Sequence, residues 1–588
     1  MSELSHDMIS QIASRLFQDA VSASQQSAPA SFPGSSAFAG FGALPTGSAP
    51  AAMPSIPPVM PAGVVMPTTV PTPGSSGPTF PGMPGTPASL PTVPMMPQGQ
   101  PDVFSPMMAL NSGFGQIPAP MADSAHSGTS ATGTLSPSEA QGISAFVAKV
   151  RALNYSSDTG LCESSQTTPE GMSFRRAAQG AGTSGRAFDV NQIRRDFPAL
   201  HQQVHGKQLV WFDNAATTQK PQSVIDAMIH YYSRDNSNIH RAAHTLAARS
   251  TDAYEGARQK IQRFIGAGSA EEIIFVRGTT EAINLVAQTT GRHFLRPGDE
   301  IVLSTLEHHA NIVPWQMVAR ETGAVIRVIP VNDHGEILLD AYESLLGPQT
   351  KIVSLTHASN SLGTILPIES MIRSAKRWGA QVLIDGAQTV AHLAVNVQSL
   401  GCDYFVFSGH KIFAPTGIGA LYVRKELQQV MPPWQGGGNM IRNVTFEQTT
   451  YSDPPAKFEA GTPSIGDAVG LGAALDYVTR LGLPAIAQYE HQLLEYGTAR
   501  LTEIPGLRLI GTAKEKVGVL SFVLPNRRPE DIGKMLDAEG IAVRSGHHCS
   551  QPSLRRFGLE ATVRPSLAFY NTKEEIDRLA DAVRRIVR

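Results

Sequence analysis

The chain has 588 residues, enough for three or four average domains, and its 47 basic and 49 acidic residues nearly cancel. No stretch is basic enough to track a phosphate backbone, so nucleic acid is not an expected partner. No apolar run reaches the ~18 residues of a membrane span, so no membrane association is expected. The three cysteines, Cys162, Cys402 and Cys549, lie far apart without a Cys-x-x-Cys pair, which argues against a disulfide framework or structural zinc and fits a reducing, cytoplasmic setting.

Residues 1–187 come first and have a composition of their own. The opening "MSELSHDMISQIASRLFQDA" has neither the basic n-region nor the apolar h-region of a signal peptide. Of the 43 prolines, 24 precede residue 187, and Asp102 is the only charged residue from Ala20 to Ala122. Such a proline, glycine, serine and alanine mixture buries too little apolar surface to offset its ordering entropy. A disordered extension, partly polyproline II, is expected. Twelve of the 18 methionines also lie here, and their pliable side chains suit shallow grooves. The extension therefore reads either as a passive linker or as a tail that binds a partner through short Met-, Leu- and Phe-bearing segments. Apolar spacing predicts two short helices within it. One spans about 5–19, with Met8, Ile9, Ile12, Leu16 and Phe17 on one face; the other spans about 137–153, behind the capping-box-like "SPSE".

Over residues 188–475 short apolar runs alternate with helical patterns: "EEIIFVRG", "DEIVLSTLE", "AVIRVIP", "KIVSLTHAS", "AQVLIDGAQ", "DYFVFSGHK" and "GALYVRK". Strands separated by helices predict βαβ units, hence an α/β domain with a mainly parallel, buried sheet. Residues 476–588 differ: two long helical patterns, then "GVLSFVLP", a helix, "GIAVRSG" and a final helix to Arg588. This predicts a smaller α+β domain at the C-terminus.

In open α/β sheets ligands bind beyond the C-terminal ends of the strands, and those ends carry chemistry here. "IIFVRGTTEAINLV" sets Thr279 and Thr280 at a helix N-terminus, where free N–H groups and the dipole attract an anion, or where the hydroxyls simply cap the helix. "QVLIDGAQ" ends in Asp385 with Gln388 just beyond, and "YFVFSGHKI" ends in Ser408, Gly409, His410 and Lys411. "LEHHANIVPW" adds His308, a flat ring able to stack on a cofactor. Together these strand ends supply what pyridoxal 5'-phosphate needs: a lysine amine for its aldehyde, a carboxylate for the pyridine nitrogen, and hydroxyls with a helix N-terminus for the phosphate. A zinc pair at His308 and His309 is disfavoured, because adjacent histidines cannot easily turn both rings to one metal. Near the end, "AVRSGHHCSQP" places His547 and His548 directly before Cys549. Taken alone, that stretch suits a metal ligand set, a redox centre or a nucleophile.

The stretches "RGTTEAINLVA", "EHHANIVPWQ", "IDGAQ", "FSGHK", "PTGIGALYV", "FEAGTP", "RSGHHC" and "SLAFYNT" stand in the order found in cysteine desulfurases. Residues 188–588 resemble the SUF-type (group II) branch of the class-V aminotransferase-like enzymes, which have PLP fold type I (aspartate aminotransferase-like). The resemblance implies that Lys411 binds the cofactor and moves the proton at the substrate Cα, and that His308 stacks on the pyridine ring and acts in acid–base steps. It implies that Asp385 pairs with the ring nitrogen and Gln388 with the phenolic oxygen. Thr280, Ser408 and His410 would hold the phosphate beside Thr279, joined in a homodimer by Thr462 of the other subunit. Asn360 and Arg564 would bind the carboxylate of the L-cysteine substrate, with Arg544 in the same pocket. Cys549 would take the sulfur as a persulfide and pass it to an acceptor protein, so no metal is expected at this loop. The imidazoles and Arg544 nearby would favour its thiolate. Cys402 reads as core packing. Two departures are visible: serine follows Cys549 where relatives commonly have alanine, and Arg564 is flanked by valine and proline. The N-terminal extension resembles those of desulfurases carried as cargo in encapsulin nanocompartments, which implies loading into an encapsulin shell through residues 1–187. A selenocysteine lyase shares the scaffold, and a vestigial enzyme domain serving as scaffold or storage protein is the reading from another class.

Overall fold

The computed structural model describes residues 188–240 and 244–588; the extension and its two expected helices lie outside the described residues. Among the described residues, β1 (Gln203–Val204) and β2 (Lys207–Gln208) form a hairpin ahead of β3 (Val210–Trp211). The seven apolar runs then become one sheet. Its strands are β4 (Ile273–Val276), β5 (Glu300–Ser304), β6 (Val325–Ile329), β7 (Thr350–Thr356), β8 (Gln381–Asp385), β9 (Tyr404–Ser408) and β10 (Gly419–Val423). They stand in the order β4-β10-β9-β8-β7-β5-β6. From β9 to β6 every pairing is parallel, whereas β10 runs antiparallel to both neighbours.

Strand side chains point alternately to the two faces, and this chain fills both. Phe275, Val382, Ile384, Phe405 and Phe407 join one buried cluster, under helices Thr245–Phe264, Ile368–Arg377 and Ile465–Leu481. Ile274, Leu303, Leu383, Tyr404 and Val406 join a second, under helices Thr279–Val286 and Val313–Thr322. A sheet covered on both faces leaves only its edges and strand ends open to ligands, which is why the continuous apolar runs end in polar residues.

A hairpin of β11 (Ile441–Val444) and β12 (Thr449–Tyr451) follows, with Phe446 exposed at its tip. Four short strands form an antiparallel C-terminal sheet in the order β13 (Arg508–Leu509), β14 (Phe522–Val523), β17 (Thr562–Arg564) and β16 (Arg544–Gly546). Its core of Leu520, Phe522, Ile532, Leu536, Val563 and Ile576 also receives Val210 and Phe212. They arrive because β15 (Ile541–Ala542) pairs in parallel with β3. The last helix, Lys573–Val587, starts in a capping box between Thr572 and Glu575. No helix among the described residues is long and apolar enough to cross a membrane.

Candidate active site

The C-terminal ends of β4, β5, β7, β8 and β9 open onto a cavity of about 190 Å³. Each wall is built by a turn that its sequence permits. After β8 the chain turns at Gly386, where any Cβ would lie 2.1 Å from the Phe405 ring. Only glycine lets Asp385 reach the cavity with its Oδ1 accepting from Ala387 N–H (2.9 Å). After β4, Gly278 brings the helix N-terminus against β9: Thr279 N–H donates to Ser408 Oγ (2.9 Å), and that hydroxyl donates to Thr279 Oγ1 (3.0 Å).

The structure brings Thr279, Thr280, His308, Asn360, Asp385, Gln388, Ser408, His410, Lys411, Arg544, Cys549 and Arg564 together around this one cavity. Of the expected site residues Thr462 alone stands apart, lining a second hollow with Arg277 and Trp434.

Electrostatics divide the cavity. Burial pushes the Lys411 amine down to about 8; Asp385 opposes that shift, while Arg564 and Arg544 add to it. Burial raises the Asp385 carboxyl, which hydrogen bonding to Ala387 and the Lys411 charge partly offset. His308 falls to about 3, first through burial and then through Lys411, so its imidazole is neutral. Its Nδ1 accepts from Ala310 N–H (3.1 Å), which fixes the ring at the start of a short helical turn.

The opposite wall comes from the C-terminal sheet. Arg544 and Arg564 face each other across β16 and β17. Asp213, just past β3, joins them: it accepts from Arg564 Nη2 (3.2 Å) and lies 3.1 Å from Arg544 Nη2. Sequence reasoning missed Asp213, whose only local signal is its place after the apolar "LVWF". Arg564 also donates to Asn360 O (3.0 Å), leaving its buried Nε without a partner. Asn360 Nδ2 donates to His548 O (2.6 Å), and its Oδ1 accepts from Ser550 Oγ (2.6 Å), so it clamps the loop carrying Cys549. His548 and Cys549 hold left-handed backbone (φ +52° and +54°), rare for side chains other than glycine. Glu307 was missed as well. Fully buried, it ties β5 to β7 by accepting from Thr356 N–H (2.8 Å) and Asn311 Nδ2 (2.7 Å). Gln388 gives one of its two amide N–H groups to Ala215 O (2.7 Å). Cys402 is buried in the core, its thiol pushed up to about 12 by burial.

These residues fit pyridoxal phosphate. A desolvated amine lies near a buried carboxyl, a helix N-terminus carries two threonines, and a buried guanidinium keeps one N–H unpaired for an anionic group. A mainly parallel sheet with this set at its strand ends defines a fold-type I pyridoxal-phosphate enzyme. The chain belongs to the class-V aminotransferase family, which matches residues 210–579. It is 63% identical over 421 residues to a cysteine desulfurase of Synechococcus elongatus, covering 72% of this chain and 67% of that one. It is also 63% identical over 399 residues to a probable cysteine desulfurase of Mycolicibacterium paratuberculosis, covering 68% of this chain and 58% of the relative. The chain thus spans about three fifths to two thirds of those two relatives. The crystal structure of the cysteine desulfurase CsdA from Escherichia coli, in an S-sulfonic acid form, superposes with a TM-score of 0.64 at 38% identity. That match covers 68% of this chain and 98% of that one.

Proposed function

We propose that the protein is a cysteine desulfurase of the SUF type that converts L-cysteine to L-alanine and retains the sulfur on Cys549 as a persulfide. The observation that carries this reading is the presence of Cys549 in the wall of the same cavity as Lys411, Asp385 and Arg564. An aminotransferase would need the last three and would give Cys549 no work.

Lys411 holds the cofactor and moves the proton at the substrate Cα; burial keeps its amine close to neutral pH, where it can both take and return a proton. Asp385 holds the cofactor ring nitrogen, and Gln388 its phenolic oxygen. Thr279, Thr280, Ser408 and His410 would hold its phosphate, and neutral His308 would lie against its ring. When bound, pyridoxal phosphate supplies an electron sink for bonds broken at the substrate. Arg564 and Asn360 bind the substrate carboxylate, and Arg544 steadies that carboxylate from the same side. The Cys549 thiolate attacks the substrate sulfur: a sulfur–sulfur bond forms, the carbon–sulfur bond breaks with its electron pair left to the carbon side, the carbon takes up a proton, and alanine leaves.

The reading extends to a homodimer in which Thr462 reaches the phosphate end of the other subunit's cavity, with residues 188–475 as the cofactor domain and 476–588 as the domain bearing the thiol loop. It also makes residues 1–187 a tail that loads the enzyme into an encapsulin shell. The test uses purified protein, its visible absorbance with cofactor, and sulfide release from cysteine under reductant. Cys549→Ala is expected to keep the absorbance and lose sulfide release by at least about a hundredfold. An unchanged sulfide yield in that variant sinks the persulfide role.

A further inference from the structure

Sequence neighbours proved to be the wrong pairs. His308 faces the cofactor cavity while His309 turns away from it; His548 is buried against Thr562 Oγ1 (2.9 Å) while His547 is exposed. The outward member of each pair meets the other. The rings of His309 and His547 lie 5.7 Å apart at 28°, beside Cys549. One ligand atom from each of these three residues lies within 4.8 Å of the others, the only such trio among the described residues.

From this geometry we infer that His309, His547 and Cys549 form a site for a borderline-soft divalent cation, zinc above all, that closes the thiol against sulfur. Two imidazoles and a thiolate are a donor set that zinc favours over harder cations. Around tetrahedral zinc such atoms sit about 3.3–3.6 Å apart, so the trio closes by about 1 Å to bind. The loops are already tied together, since His309 N–H donates to Cys549 O (2.8 Å). The lone pairs also face the right way. His547 Nδ1 accepts from Cys549 N–H (3.0 Å) and His309 Nε2 from Gln551 N–H (3.2 Å), so both rings direct an unprotonated nitrogen at the thiol loop. Binding exchanges those two amide contacts for metal–nitrogen bonds. It forms one metal–sulfur bond, releases the thiol proton to water and transfers no electron. Exposed His547 leaves the fourth position open to water. A thiolate held by the cation gives up much of its charge to the metal and is fixed between the two imidazoles, so it no longer reaches the substrate sulfur as a free nucleophile, and the bound state is inactive until a chelator or a competing thiol removes the ion.

Only the inhibition rests on Cys549 being the sulfur acceptor; the binding does not. The full-length enzyme, loaded with pyridoxal phosphate, is titrated with zinc against a chromogenic chelator, and X-ray absorption at the zinc edge reads the ligands. One zinc per chain, with one sulfur and two imidazoles around it, is expected. Exposed His547→Ala should weaken binding more than about tenfold without disturbing the fold, as should Cys549→Ser. Alanine formation should stop at one equivalent and return with chelator. No sulfur in the zinc shell, or unchanged affinity in either variant, overturns the site. If Cys549→Ala still releases sulfide, the acceptor role fails while the zinc affinity decides this site separately.

Discussion

A lysine in water keeps its proton at any physiological pH, and Lys411 holds it far less firmly because burial removes the water that stabilises the ammonium. The neutral amine is the form that reacts with an aldehyde, and with a value of about 8 it becomes the major form above that pH. Capture of pyridoxal phosphate by the cofactor-free protein, followed as visible absorbance, should therefore speed up with pH to about 8 and then level off. An unperturbed lysine would keep gaining to 10.5, and such a continued rise would contradict the buried setting. Lys411, Asp385 and Ser408 were legible in the sequence because each closes an apolar strand within one contiguous motif. Asp213 was not. It acts on Arg544 and Arg564 from 331 and 351 residues away, and nothing local marks a carboxylate that pairs so far along the chain. The joining of His309 to His547 was hidden for the same reason, since each has a nearer histidine beside it.

At the scale of elements, turns decide which side chains reach the cavity. Gly386 lies on the Phe405 ring of the next strand, 2.1 Å from where a Cβ would stand. Gly386→Ala should push β8 and β9 apart, cost about 1–3 kcal/mol of stability as overpacking does, and lower cofactor occupancy. The measurement is thermal unfolding with and without pyridoxal phosphate, with Phe405→Leu expected to restore part of the loss. Unfolding identical to wild type would show that the turn relaxes without cost. The seven strands of the main sheet were visible as apolar runs, as was its mainly parallel character. The antiparallel setting of β10 was implicit as well: only residues 409–418 separate it from β9, too few for a crossover of a dozen or more residues. The C-terminal sheet was harder to read, because β13, β14, β16 and β17 are two or three residues long and leave no period to detect.

For the whole molecule, residues 188–588 contain both sheets and the three main buried clusters. A chain beginning at residue 188 should fold, bind cofactor and release sulfide from cysteine within about twofold of the full-length rate, while losing co-purification with an encapsulin shell. Normal loading of the truncated enzyme would refute the tail's role, and loss of activity would show that residues 1–187 serve the chemistry itself.

The pairing of β3 with β15 also sets a schedule. On the ribosome Asp213 emerges early, and its partner Arg544 follows 331 residues later, roughly 17–66 s at ordinary elongation rates of about 5–20 residues per second. In the later part of that interval, once Lys411 and the last strand of its sheet, β10, have been made, the cofactor lysine can be folded in place while the wall that grips the substrate does not yet exist. A nascent or prematurely terminated chain is thus unarmed: it can hold a reactive aldehyde cofactor, but it has neither the arginines nor the thiol to liberate sulfur in the wrong place.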